Sequence, residues 1–396
     1  MFISNICTKY PAKINPQYQL KTNVVKSKTT NVGVQQKNTT QLPLGFNTSY
    51  NITFGAWTNP NRLVGDVDLE SYQIMTEKSK ERYRRLFKEF SSNDEIDQTQ
   101  LFDKTSKKLP LTDDETLEKF VEASKIYLNY KDQPIICLGR SPKWFLNTAF
   151  WMENGVPEYK FVAFSKFWFF PNGKGEIKRL EKEAPTEREE KEYRKYLDRV
   201  GVNPKKIVET MQKTGKKTVI TDYVNTGKGM CSFLDIMARY ADDLGILEEF
   251  SKSIQIVGIG SREYMEDLSP YEDDEMPSME VPMSPILEPY ADNIKQESYD
   301  IDYTVFQEML LNQNTNECRS TYYPHNAWTV YSPDTFKTGL IRDMSKVERL
   351  LDIFKDEKYI ITFSAPMQDF RNLVNFRILD YLNSKGMLRQ STKYNL

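Results

Sequence analysis

The chain has 396 residues, 39% hydrophobic and 28% charged, with a formal net charge of −2, enough to bury one large core or two modest ones. That balance excludes a general nucleic-acid binder, which needs a basic excess, and no stretch approaches the roughly 20 consecutive apolar residues of a membrane helix. The start, Met1-Phe2-Ile3-Ser4-Asn5-Ile6-Cys7, has no basic region followed by an apolar run, so no secretory signal is expected.

Residues 1–60 are rich in Asn, Gln, Thr and Lys with little periodicity, and read as a polar, mobile arm. Residues 61–111 form a helical lead-in, charged and periodic over 69–90. A capping box of Thr112 and Glu115 opens a helix with Leu117, Phe120, Val121, Ser124 and Leu128 on one face. Pro134-Ile135-Ile136-Cys137-Leu138 reads as a buried strand that opens into Gly139-Arg140-Ser141-Pro142-Lys143 and a helix over 144–152. A second strand is expected over 159–164.

Phe167-Trp168-Phe169-Phe170 reads as core or interface. Thr186 and Glu189 open a charged helix; Asn203 caps the next, with Pro204 in its first turn and Gly215 at its end. Thr218-Val219-Ile220 is a strand, residues 230–240 a helix, and Ile254-Gln255-Ile256-Val257 another strand. Helices alternating with buried strands imply an α/β fold: a parallel sheet flanked by helices in three layers, Rossmann-like. Its core spans 112–261.

Residues 262–300 are acidic and carry five prolines, which predicts a surface insertion or linker. Within it, Glu272-Asp273-Asp274-Glu275 reads as a solvated loop. Residues 301–396 read as an α+β extension, with a helix over 347–354, a strand over 359–363 and a final helix. The cluster around His325, with Tyr322, Tyr323 and Trp328, reads as packing. His325 is the only histidine, so no multi-histidine metal site exists. The four cysteines, Cys7, Cys137, Cys231 and Cys318, form no CxxC pair, which points to reduced thiols and a cytoplasmic protein.

Chemistry concentrates in residues 218–230, TVITDYVNTGKGM. A buried strand delivers Asp222 at its carboxyl end, where open α/β sheets bind ligands. Gly227-Lys228-Gly229 then starts a helix whose free backbone N–H groups and dipole suit a phosphate. It is not a Walker loop: Asp222 stands where that motif needs its first Gly, and Gly229 where it needs Ser or Thr.

This stretch resembles the ligand-binding motif of type I phosphoribosyltransferases, most closely the hypoxanthine-guanine enzymes. In that family a hydrophobic strand is followed by two acidic residues, a spacer and Thr-Gly-x-Thr. The resemblance covers roughly residues 112–260. It implies that Asp222 holds the ribose hydroxyls of phosphoribosyl pyrophosphate, with Asn225 beside it at the family's catalytic position, and that Thr226, Gly227, Lys228 and Gly229 wrap the 5′-phosphate. Gly139, Arg140, Ser141 and Lys143 would hold the pyrophosphate, Mg²⁺ would enter with the substrate's phosphates, no metal site of the protein's own is expected, and residues 301–396 would form a hood over the acceptor. The implied activity is transfer of ribose 5-phosphate to a nitrogenous base. Thr221, Asn225 and Gly229 depart from the family pattern. They motivate the alternative of a non-catalytic regulatory protein on this scaffold, with the polar arm or the acidic insertion docking a protein partner.

Overall fold

A computed structural model describes residues 67–92, 109–171, 177–264, 279–311 and 365–390, apart from Arg140, Ser141, Pro157, Ala163, Ser165 and Lys166. The arm, the acidic run at 272–275, the His325 cluster and the elements expected at 347–354 and 359–363 lie outside these residues.

The framework is a five-stranded parallel sheet built from β1 (Ile135–Leu138), β2 (Lys160–Val162), β5 (Thr218–Tyr223), β6 (Ile254–Gly260) and β7 (Lys295–Asp300), in the order β2-β1-β5-β6-β7. A separate antiparallel hairpin joins β3 (Phe169–Pro171) and β4 (Ile177–Arg179). The inner strands are apolar because both of their faces are covered: β1 and β6 are buried at every position, and β5 over its first four residues. The two edge strands are more polar, and β7, read in sequence as Lys-Gln-Glu-Ser-Tyr-Asp, has no fully buried residue.

That polarity is why the sequence reading placed residues 295–300 in a surface insertion. The correction is that they pair in parallel along β6 from Gln255↔Lys295 to Gly260↔Asp300. An edge strand draws its order from backbone hydrogen bonds on one side and needs no apolar run. The chain leading into it is also fixed, since Val281 N–H donates to Gln296 Oε1 at 3.0 Å and Gln296 Nε2 donates to Val281 O at 3.1 Å.

Two helix groups flank the sheet. On one side α3 (Asp114–Ser124), the 3₁₀ turn Lys125–Tyr130 and α4 (Lys143–Trp151) pack together; α6 (Pro204–Thr214), α7 (Lys228–Asp243) and α8 (Leu247–Ser253) form the other group. The expected cap of α3 moves by one residue: Asp113 is the N-cap, its Oδ1 accepting from Thr116 N–H at 2.7 Å. Asn203 and Gly215 bound α6 as the sequence predicts.

Outside the sheet, α1 (Leu69–Ile74) and α2 (Glu77–Ser92) lean on α10 (Ala365–Ser384), with a short helix α9 (Tyr303–Phe306) between them in sequence. Asp380 anchors that contact, accepting from Tyr72 Oη at 2.7 Å and from Arg84 Nε and Nη2 at 2.8 Å each.

α5 (Glu187–Arg199) is tied to α7 by charge. Glu190, only 9% exposed, lies 2.6 Å from Arg194 and 2.7 Å from Arg239, and Arg239 reaches Asp235 at 2.9 Å. Replacing one member of such a cluster strands the others. Glu190→Ala is therefore expected to destabilise the fold by roughly 2–4 kcal/mol, read as a lowered urea midpoint; a loss below roughly 0.5 kcal/mol would place the cluster with ordinary surface pairs.

Candidate functional site

The strand order places a switch point at the carboxyl ends of the strands, where open α/β sheets bind ligands. From β1 the chain moves outward to β2, then returns past β1 to β5 and proceeds to β6 and β7. Right-handed crossovers in opposite directions put the connecting helices on opposite faces, so the loops after β1 and β5 part and leave a crevice between them. Both sequence-predicted loops end at this switch point. Cys137 pairs with Thr221, so Leu138 and Asp222 leave the ladder side by side.

On the β1 side, Gly139 turns the chain at φ +61°, and its N–H donates to Val162 O at 2.8 Å. A side chain there would be strained by that φ and would press on Phe164 O at 3.2 Å. Arg140 and Ser141 lie outside the described residues. Lys143, the first residue of α4, is buried, with its ammonium 5.7 Å from the centre of the Phe161 ring.

On the β5 side, Thr221 and Asp222 point to opposite faces, as alternation in a strand requires. The Thr221 hydroxyl is buried against Tyr127 Oη at 2.8 Å, on the α3–α4 face, so it is turned away from the crevice. Asp222 remains partly accessible in its recess, with its Oδ1 accepting from Tyr223 N–H at 2.7 Å. Burial pushes the Asp222 carboxyl up to about 8, and that single hydrogen bond only partly opposes the effect. Cys137, on the neighbouring strand, is buried: desolvation raises its thiol, Asp222 adds to the rise and Lys143 opposes it. Asp222 and Lys143 thus act on one sulfur from the two loops.

The chain then crosses the end of β6. Val224 N–H donates to Ile259 O at 2.9 Å, and the loop fits because β6 has glycines beneath it: a methyl on Gly258 would meet Val224 Cγ2 at 2.8 Å, and one on Gly260 would meet Val224 O at 2.5 Å. Asn225 and Thr226 are half-buried and make no side-chain hydrogen bond among the described residues. Gly227 takes φ +65° as the N-cap of α7, with no side chain capping the helix. The first N–H groups of this 16-residue helix are thereby left for a ligand.

Gly227 and Gly229 serve different ends. A methyl on Gly227 would lie 2.7 Å from Glu280 O and from Pro282 Cδ, and 2.8 Å from Val281 Cα; one on Gly229 would meet nothing within 4 Å. Gly227 is the seat of the 279–283 segment, and Gly229 faces open space. Lys228 turns aside: its ammonium is 4.6 Å from the centre of the Phe170 ring and 6.0 Å from that of Phe167, and burial lowers its pKa. Trp168 and Phe169 are core, as expected, whereas Phe167 is 45% exposed.

Sequence reasoning did not single out Cys137, Tyr127 or the Val281–Gln296 pair. Cys137 was findable as the residue just before the end of a strand beside Asp222. The other contacts join residues 94 and 15 positions apart, and no local pattern encodes them.

The folded-state pKa of Asp222, about 8, exceeds the unfolded value of about 3.9. Between those limits the folded state binds the extra proton, so this residue makes stability fall as pH rises. Asp222→Asn is expected to gain stability over the unmodified chain progressively from about pH 4 to about pH 8, with no further gain above. Urea midpoints of both proteins across that window check this; a difference that does not vary with pH would sink it.

Comparison with protein-family models, with curated proteins and with solved structures finds no match to this chain.

Proposed function

We propose that the chain binds phosphoribosyl pyrophosphate or a nucleotide in the crevice between the β1 and β5 loops, as a phosphoribosyltransferase-like protein. The observation that carries this is the pairing of Asp222 with an uncapped α7 start, directly across the switch point from Gly139 and Lys143. The 5′-phosphate would accept from the N–H groups of Lys228 and Gly229 with the helix dipole behind them. The space beyond Gly229 leaves room for it. Asp222 would accept from the ribose hydroxyls, and Lys143, with Arg140, would offset the diphosphate charge.

The substrate's diphosphate would bring its own Mg²⁺. Among the described residues no group of three or more His, Cys, Asp or Glu is arranged to hold a metal, and Asp222 is the carboxylate that β5 brings to the crevice. In a transfer reaction the bond from the sugar C1 to the pyrophosphate oxygen breaks, an acceptor nitrogen forms the new bond to C1, and pyrophosphate leaves. The protein's part would be electrostatic, favouring the oxocarbenium-like state and the departing charge.

A second reading is favoured by a specific feature. Asn225 carries an amide where proton transfer to the base needs a carboxylate. That supports ligand binding without transfer, in a regulatory protein.

A thermal-shift titration separates these readings from an empty scaffold. With Mg²⁺ and phosphoribosyl pyrophosphate at a hundredfold excess over Kd, the folded state gains about 2.7 kcal/mol, a rise in Tm on the order of 5–10 °C. Asp222→Ala and Gly229→Trp are expected to abolish the shift; the second is chosen because a side chain there enters open space and leaves the core intact. Pyrophosphate release with an added base then marks an enzyme, and a shift without release marks the regulator. No shift with any phosphate ligand would remove both.

A further inference from the structure

The amino ends of the same strands hold a second cleft, of about 320 Å³, between the start of β2, the turn at Gly201 and α6. Its volume is at the low end of small-molecule sites, which span roughly 300–1,000 Å³. Ile135, Val202 and Ile207 give it an apolar floor, and Lys160 and Lys206 stand over that floor.

The two lysines converge. A methyl added to Gly201 would lie 2.9 Å from Lys160 Nζ and 3.4 Å from Lys206 Nζ, which puts the ammonium groups within roughly 6 Å of one another, the range at which like charges disfavour each other. Gly201 sits at φ +68°, a conformation that also selects against a side chain in this space. Lys160 donates to Gly201 O at 2.7 Å, and has two further N–H groups to offer. Neither lysine has a carboxylate within ion-pair distance among the described residues. Burial first, and Lys206 second, lower the pKa of Lys160, with Glu158 acting in the opposite sense. The rim carboxylates are Glu158, which is exposed, and Glu209, which lies 3.9 Å from Lys205.

We propose that this cleft is a second binding site, remote from the β1–β5 crevice, for a small phosphate-bearing anion. One tetrahedral dianion between the ammonium groups offsets both charges and removes their repulsion, whereas a monocarboxylate offsets only one. The apolar floor would take a short carbon skeleton attached to the phosphate.

Calorimetric titration of the full chain with inorganic phosphate at low ionic strength tests this. Lys206→Gln is expected to weaken phosphate binding about tenfold, Lys206→Arg to retain it, and Glu158→Gln to tighten it several-fold; both side chains are exposed, so the fold is not at stake. Gly229→Trp, which fills the α7 start, is expected to leave this Lys206-dependent component unchanged, so the result does not depend on the crevice at the other end of the sheet. The proposal is overturned if phosphate fails to bind at millimolar concentration, or if it binds equally to the unmodified chain and to Lys206→Gln.

Discussion

A parallel sheet whose inner strands are apolar along their length must be covered on both faces, and much of this molecule follows from that demand. With the faces closed by helices, the strand ends are where backbone groups and polar side chains meet solvent. Because β2 and β5 lie on either side of β1, the covering helices change face between β1 and β5, and the loops there cannot pack against one another. The crevice is a consequence of covering the sheet. Asp222 occupies it because it stands level with Leu138, the last residue of β1, at the carboxyl end of β5.

The same demand explains the glycines on the β5–β6 side. The loop leaving β5 has to cross β6 without lifting from the sheet, which requires that Gly258 and Gly260 carry no side chains under Val224. Once across, the chain must enter α7 from a positive φ while the 279–283 segment passes within touching distance of Gly227. A single turn therefore reconciles β5, β6, α7 and the approach to β7. It does so with backbone alone, and the helix start is left without a side-chain cap.

How much of this was legible depended on whether the signal was local. Thr218-Val219-Ile220 ahead of Asp222, Asn203-Pro204 at a helix start, and Gly215 at its end are short-range patterns with direct physical meaning, and they led to the sheet and the carboxyl ends of its strands. Lys295–Asp300 was misread because an edge strand in a parallel sheet needs little apolar surface, and its neighbouring prolines read as a linker. The cap of α3 shifted from Thr112 to Asp113 because two good capping residues stand in succession and propensity ranks them almost equally. Lys228 is expected among the phosphate-binding residues from its place between two glycines. Its ammonium lies over Phe170, more than fifty residues away in sequence, a partner only the tertiary fold supplies.

The three departures from the phosphoribosyltransferase pattern are not equivalent once placed. Thr221 belongs to the opposite face, where its hydroxyl serves Tyr127, so an acid at that position would have to be buried beside a phenol in the α3–α4 layer. Thr221 at this position is thus tied to how this chain packs its 3₁₀ turn. Gly229 removes a hydroxyl but adds space at a helix start that offers backbone donors, so phosphate binding would lean on the main chain. In the proposed transfer reaction Asn225 would be the residue that faces proton transfer, and its side chain makes no hydrogen bond among the described residues. Under the proposed function, binding and transfer would therefore be separable. In that reading, holding a sugar phosphate would rest on Asp222 and the α7 backbone, and proton transfer on the acceptor would fall to a position whose amide cannot perform it, so a competent acceptor would have to lose its proton to solvent or to a group of its own.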